Sequence, residues 1–153
     1  MGPSGTQLGT ERGQRYLELT LPLDSQAPSR ARAAVWDLLG RADQEQLASV
    51  GSAPGSAMLL VSEVVTNALM HSERTASSDR LVLAASIEGD SIRVSVTDSG
   101  HGFSDDVKRH AGGYGFFLLD KLATRWGIEP SEGTSERSTV WFELSPLGVG
   151  PAI

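Results

Sequence analysis

The 153-residue chain predicts an α+β fold, a two-layer α/β sandwich whose mixed, mostly antiparallel sheet carries helices on one face. Three observations predict it. Stretches that alternate apolar and polar residues are interspersed with longer stretches of helical periodicity. Two of the alternating stretches meet at Gly89-Asp90, a hairpin pair, so the sheet is at least partly antiparallel. Helical segments collect around these strands most simply as one covering layer.

The elements follow in order. Residues 1–14 are polar and Gly-rich and read as a disordered tail. "RYLELTL" sets Leu17, Leu19 and Leu21 against Tyr16, Glu18 and Thr20, the pattern of a half-buried strand. In "APSRARAAVWDLLG" Pro28 or Ser29 opens a helix and Gly40 closes it, with Ala31, Ala34, Val35, Leu38 and Leu39 on one stripe. A second helix starts near Ser52 and Pro54 and runs to about His71. "RLVLAASIEGDSIRVSVTDSG" reads as two strands and their hairpin. Residues 99–113 form a long Gly-rich loop, and long loops in small domains are often functional. "GFFLLDKLATRWG" reads as a helix ended by Gly127, "EPSEGTSERS" as a turn region and "TVWFEL" as the last strand. One domain thus spans 15–146, with a tail over 147–153.

Composition narrows the function classes. The formal net charge is -6 and no run of Lys and Arg stands out, so direct nucleic-acid binding is not expected. Cysteine is absent, which removes disulfides, thiolate metal sites and a cysteine nucleophile. No apolar run approaches the roughly 20 residues of a membrane span, and the N-terminus lacks the apolar core of a secretory signal. A cytoplasmic location and no membrane partner are the default expectations.

Three features can carry chemistry. Glu63, Asn67 and His71 recur every four residues in "LLVSEVVTNALMHS" and so share one helical stripe. An acid and an amide one turn apart suit a hard cation such as Mg²⁺, and the acid can also accept a proton. A solvated stripe on an amphipathic helix would show the same residues. In "IRVSVTDSGHGF", Asp98 shares parity with Ile92, Val94 and Val96, so the strand's apolar face ends in a carboxylate. A carboxylate there needs a donor, and the exocyclic amino group of an adenine is one. Gly100 and Gly102 follow, where the backbone can turn tightly under a flat ligand; a plain Asp-Ser-Gly turn is the alternative. Third, Gly112, Gly113 and Gly115 lead into a helix whose N-terminal N–H groups favour phosphate, or else form a simple hinge. Neither a Walker loop nor a Rossmann fingerprint is present. Lys108, Arg109 and His110 lie between the glycine groups, placed to neutralise phosphate if the loop closes as a lid.

Taken in this order, the motifs resemble those of the Bergerat-fold ATPases, the group holding gyrase, Hsp90, sensor histidine kinases and MutL. Within it the chain looks most like the small bacterial anti-sigma factor serine/threonine kinases. "VSEVVTNALMHS" matches the family's helix motif, "VTDSGHGF" its first glycine box, "GGYGFFLLDKLATRWGI" its second and "TVWFEL" its closing strand, over roughly residues 16–145. The resemblance implies ATP and Mg²⁺ as cofactors. It implies Glu63 as general base and Asn67 as the Mg²⁺ ligand. Asp98 becomes the adenine-binding carboxylate with Thr139 as its helper through a water, Gly100 and Gly102 lie under the adenine, and Gly113 and Gly115 beside the phosphates. The implied activity is phosphorylation of a small anti-sigma antagonist, coupled to binding of a sigma factor, and a homodimer is compatible with the resemblance. The alternative is a regulatory module that binds ATP or ADP and a partner protein without phosphoryl transfer. Phe116-Phe117 departs from the aliphatic residues usual there, and neither a phosphoacceptor histidine segment nor a transducer domain of the gyrase kind is recognisable in the sequence.

Overall fold

The structure, a computed structural model, describes residues 6–11, 14–40, 53–71, 80–98, 114–130 and 138–145. Six strands form one sheet: β1 (Thr6–Glu11), β2 (Gln14–Pro22), β3 (Arg80–Glu88), β4 (Ser91–Asp98), β5 (Arg125–Pro130) and β6 (Ser138–Leu144). Their spatial order is β1-β2-β3-β4-β6-β5, and each of the five pairings is antiparallel. Three helices accompany them: α1 (Ala27–Gly40), α2 (Ala53–His71) and α3 (Tyr114–Leu122). Helix α1 packs over β2, α2 over β4 and β6, and α3 against α2 and β5. The α+β sandwich read from the sequence is the observed fold, and no parallel pair occurs among the described strands.

Strict alternation builds the core. Leu17, Leu19 and Leu21 on β2, Leu81, Leu83, Ala85 and Ile87 on β3, and Ile92, Val94 and Val96 on β4 are buried. Val140, Phe142 and Leu144 on β6 extend this apolar face. Helix α1 answers with Ala31, Val35, Leu38 and Leu39, and α2 with Ala57, Leu60, Val61, Val64, Val65 and Ala68. Removing this much apolar surface from water is the main favourable term in folding. Glu88 pairs with Ser91, so Gly89 and Asp90 close the β3–β4 hairpin, and Gly89 takes a φ of 58° that glycine adopts without steric cost. Asp24 caps α1: its Oδ1 accepts from the Gln26 backbone N–H at 2.9 Å, and its carbonyl from that of Ala27 at 3.0 Å.

Two parts differ from the sequence reading. Residues 6–11 form a strand where a disordered tail is expected. Without β1 the outer edge of β2 would present a row of unpaired backbone groups, and β1 pairs with it through six residues. The helix expected to run to Gly127 stops at Leu122, and Arg125–Pro130 forms β5 on the edge of β6. The last helical bond runs from Ala123 N–H to the Leu119 carbonyl at 2.9 Å. The chain then turns, and Thr124 N–H donates to the Glu143 carbonyl at 2.8 Å. Trp126 and Ile128 pack against the core, while the Trp126 Nε1–H donates to Asp120 Oδ1 at 2.7 Å, tying β5 to α3. No helix among the described residues is long and apolar enough to cross a membrane.

Candidate functional site

Helix α2 is the common neighbour of the site-bearing elements, because it packs against β4, β6 and α3. Its buried stripe faces the sheet, and Leu59 and Met70, at 44% and 73% exposure, face solvent. Glu63 and Asn67 belong to neither class. Both are half-buried on the flank of the buried stripe. A fully solvated polar stripe would be exposed, whereas these two side chains are partly covered. The side chain of His71 lies outside the described residues.

Strand β4 delivers Asp98. The alternation that buries Ile92, Val94 and Val96 continues through it, and Asp98 is only 1% exposed. It is the buried charged side chain among the described residues. Burying a carboxylate is costly without donors, so its position at the helix-facing end of the strand calls for polar company. Leu81 stands opposite it on β3 and Ser138 opposite it on β6.

Thr139 is not beside Asp98. Directly opposed residues of an antiparallel pair share a face. Thr139 opposes Thr97, and their Oγ1 atoms are 2.7 Å apart on the face of the sheet away from the helices. The register position level with Asp98 is Ser138, one residue earlier. The parity of "STVWFEL" held this signal, since Val140, Phe142 and Leu144 are the buried members.

Gly115 is the second residue of α3, so the helix begins within the glycine segment as expected. Gly100, Gly102, Lys108, Arg109 and Gly113 lie outside the described residues. Of the proposed constellation, the structure therefore places Glu63 and Asn67 on α2, Asp98 at the end of β4 and Gly115 at the start of α3.

A polar network missed in the sequence braces the strands on the other face. Glu143 on β6 accepts from Arg93 Nη1 at 2.6 Å and from Arg125 Nε at 3.0 Å, and Arg125 Nη2 also pairs with it. The Arg93 guanidinium stacks 4.4 Å from the centroid of the Trp141 ring. Burial by itself would raise the Glu143 carboxyl, but the hydrogen bonds and charges of Arg125 and Arg93 hold it below its ordinary value. Charged residues brought together from three neighbouring strands give no sequence signal of this kind.

Among the described residues no three His, Cys, Asp or Glu side chains converge as a metal cage. Mg²⁺ seldom needs one, since it keeps several waters and takes one or two protein oxygens together with substrate phosphates. The half-buried Asn67 amide, with Glu63 one turn away, fits that pattern.

The chain's sequence matches the family model of the histidine kinase-like ATPase domain over residues 21–143, from the end of β2 to β6. No curated protein matches it.

Proposed function

The chain belongs to the histidine kinase-like ATPase family, whose domain binds ATP, and on that premise we propose that it is an ATP-dependent serine/threonine kinase of the anti-sigma factor kind. Its protein substrate would be a small antagonist protein, and its regulatory target a sigma factor. The observation that carries the ATP site is Asp98, a buried carboxylate on the helix-facing end of β4.

Each residue has one task in this reading. Asp98 accepts a hydrogen bond from the adenine amino group. The Ser138 position, level with it, takes the helper role first assigned to Thr139. Gly100 and Gly102 let the backbone approach the ring. Gly113 and Gly115 present N–H groups at the start of α3 to the phosphates. Lys108 and Arg109 neutralise phosphate charge from the loop. The Asn67 amide oxygen would hold Mg²⁺, which would supply positive charge against the phosphates. Glu63 takes the proton from the incoming serine hydroxyl as its oxygen bonds to the γ-phosphorus and the bond to ADP breaks.

Incubation with labelled ATP, Mg²⁺ and the cognate antagonist is expected to label a Ser or Thr of the antagonist. Glu63→Gln is expected to lower the transfer rate by about 10²–10⁴-fold, the usual worth of a general base, while retaining ATP binding. Equal transfer by both proteins contradicts the role of Glu63. ATP binding with no transfer by the wild type leaves the chain as a regulatory nucleotide-binding module instead.

A further inference from the structure

Helix α3 carries the phosphate end of the proposed site, and it packs against α2 and β5 through a narrow stripe. Among its described side chains only Leu119 is buried, with Leu118 and Leu122 partly buried against the core. A helix of nine residues is about 13 Å long at ~1.5 Å per residue, so this stripe serves as a pivot rather than a clamp. The C-terminal end is tied down by hydrogen bonds instead. Thr124 N–H donates to the Glu143 carbonyl at 2.8 Å, Ser145 N–H to Thr124 Oγ1 at 3.0 Å, and Trp126 Nε1–H to Asp120 Oδ1 at 2.7 Å. Of these three, only the Trp126 bond ends on a side chain of the helix itself.

We infer that Asp120 is a positioning residue for the nucleotide phosphates: its bond to Trp126 fixes the tilt of α3 and with it the place of the Gly115 N–H group. The inference rests on the nucleotide reading given above. The two ends of that site sit on different elements, Asp98 on β4 and the glycine end of α3. Asp98 stands level with Ser138 on β6, and Ser138 with Pro130 on β5. Trp126 lies on that same β5, level with Phe142, so its bond to Asp120 transmits the position of the sheet to the helix. A ligand that spans both ends depends on their separation. Gly115 lies four residues from the pivot at Leu119, about 6 Å along the helix axis. A tilt of about 10° moves it by about 1 Å, and a misplacement of about 1 Å can cost on the order of 10²-fold in rate.

Charge and geometry make opposite demands of Asp120, which lets them be separated. Asp120 is an exposed carboxylate, so by Coulomb repulsion alone its removal should tighten the binding of a triphosphate. A loss of affinity on its removal therefore reports the geometry of the helix. Asn at the same position presents an acceptor oxygen to the indole N–H without the charge. Adenosine separates the two ends of the site, because it engages Asp98 and carries no phosphate.

Calorimetric titration of the full chain with ATP and Mg²⁺, and separately with adenosine, tests this. Asp120→Ala is expected to weaken ATP binding by at least about tenfold while adenosine stays within about twofold of the wild type. Asp120→Asn is expected to bind ATP within about threefold of the wild type. Trp126→Phe keeps an aromatic ring and removes the N–H, so it should lose ATP affinity as Asp120→Ala does, and the double variant should lose no more than either. Circular dichroism checks that each variant is folded. If Trp126→Phe does not fold, the contrast between Asp120→Ala and Asp120→Asn carries the test, since Asp120 is exposed. Equal ATP affinity in the wild type and Asp120→Ala, equal losses for ATP and adenosine, equal losses in Asp120→Ala and Asp120→Asn, or additive losses in the double variant overturn the inference. A wild type that binds neither compound overturns the nucleotide reading and this inference together, whereas each of the other outcomes leaves that reading standing.

Discussion

Gly127 on β5 faces Trp141 on β6, and an added Cβ would sit 2.9 Å from Trp141 Nε1 and 3.1 Å from Cε2 and Cζ2. The ring has little freedom to retreat, because Arg93 stacks on it and Arg93 is itself tied to Glu143. Gly127→Ala is therefore an overpacking change, costing about 1–3 kcal/mol, from which the ~0.5–1 kcal/mol that alanine gains over glycine in a strand is subtracted. A net loss on the order of 1 kcal/mol follows from the middle of both ranges, read as a lower urea midpoint with an unchanged slope. The sign should reverse when the ring is removed. In a Trp141→Ala background the same Gly127→Ala change meets open space and should stabilise by up to about 1 kcal/mol. A Gly127→Ala protein as stable as the wild type, or one equally destabilised in both backgrounds, would refute the packing of β5 on β6.

Further outcomes follow from the same structure. Asp24→Ala removes the cap of α1 and should cost about 1 kcal/mol in chemical denaturation, with Asp24→Asn losing much less. Glu143 sits below its ordinary value of 4.5 in the folded chain, so its contribution is fully present above that pH and is lost as pH falls through the lower folded value. The stability gap between wild type and Glu143→Gln should be constant from pH 7 to about pH 5 and should close in more acidic solution. A gap that widens on acidification would show that the arginine network does not favour the charged carboxylate.

The helical layer and the central hairpin were legible because one periodicity dominates each. Ala31, Val35 and Leu38 repeat at helical spacing and are buried, and Ile92, Val94 and Val96 repeat at strand spacing and are buried. The two edge strands were not. "TQLGTE" lacks an apolar face, and its strand is a matter of backbone pairing with β2, although Arg12-Gly13 between Glu11 and Gln14 is the kind of X-Gly pair that short hairpins favour. In "RWGIEP" Gly127 reads as a helix stop, whereas in the fold its missing side chain makes room for Trp141, a residue distant in sequence. The site divides the same way. The placement of Glu63 and Asn67 on one flank of α2 and the burial of Asp98 follow from spacing and parity on single elements. Assigning Thr139 required the face of β6, and there the alternation through Val140 and Phe142 points to the neighbouring residue.

The central claim is that a buried carboxylate at the end of β4 binds a nucleotide. Calorimetric titration of the wild type and Asp98→Asn with ATP and Mg²⁺ tests it most directly. A charge-assisted hydrogen bond contributes about 1.5–3 kcal/mol, so the wild type should bind saturably and the variant roughly 10–150-fold more weakly. Thr139→Val, altered on the opposite face, should bind as the wild type does. No binding by the wild type at about millimolar ATP, or equal affinity in wild type and a folded Asp98→Asn, would contradict the account.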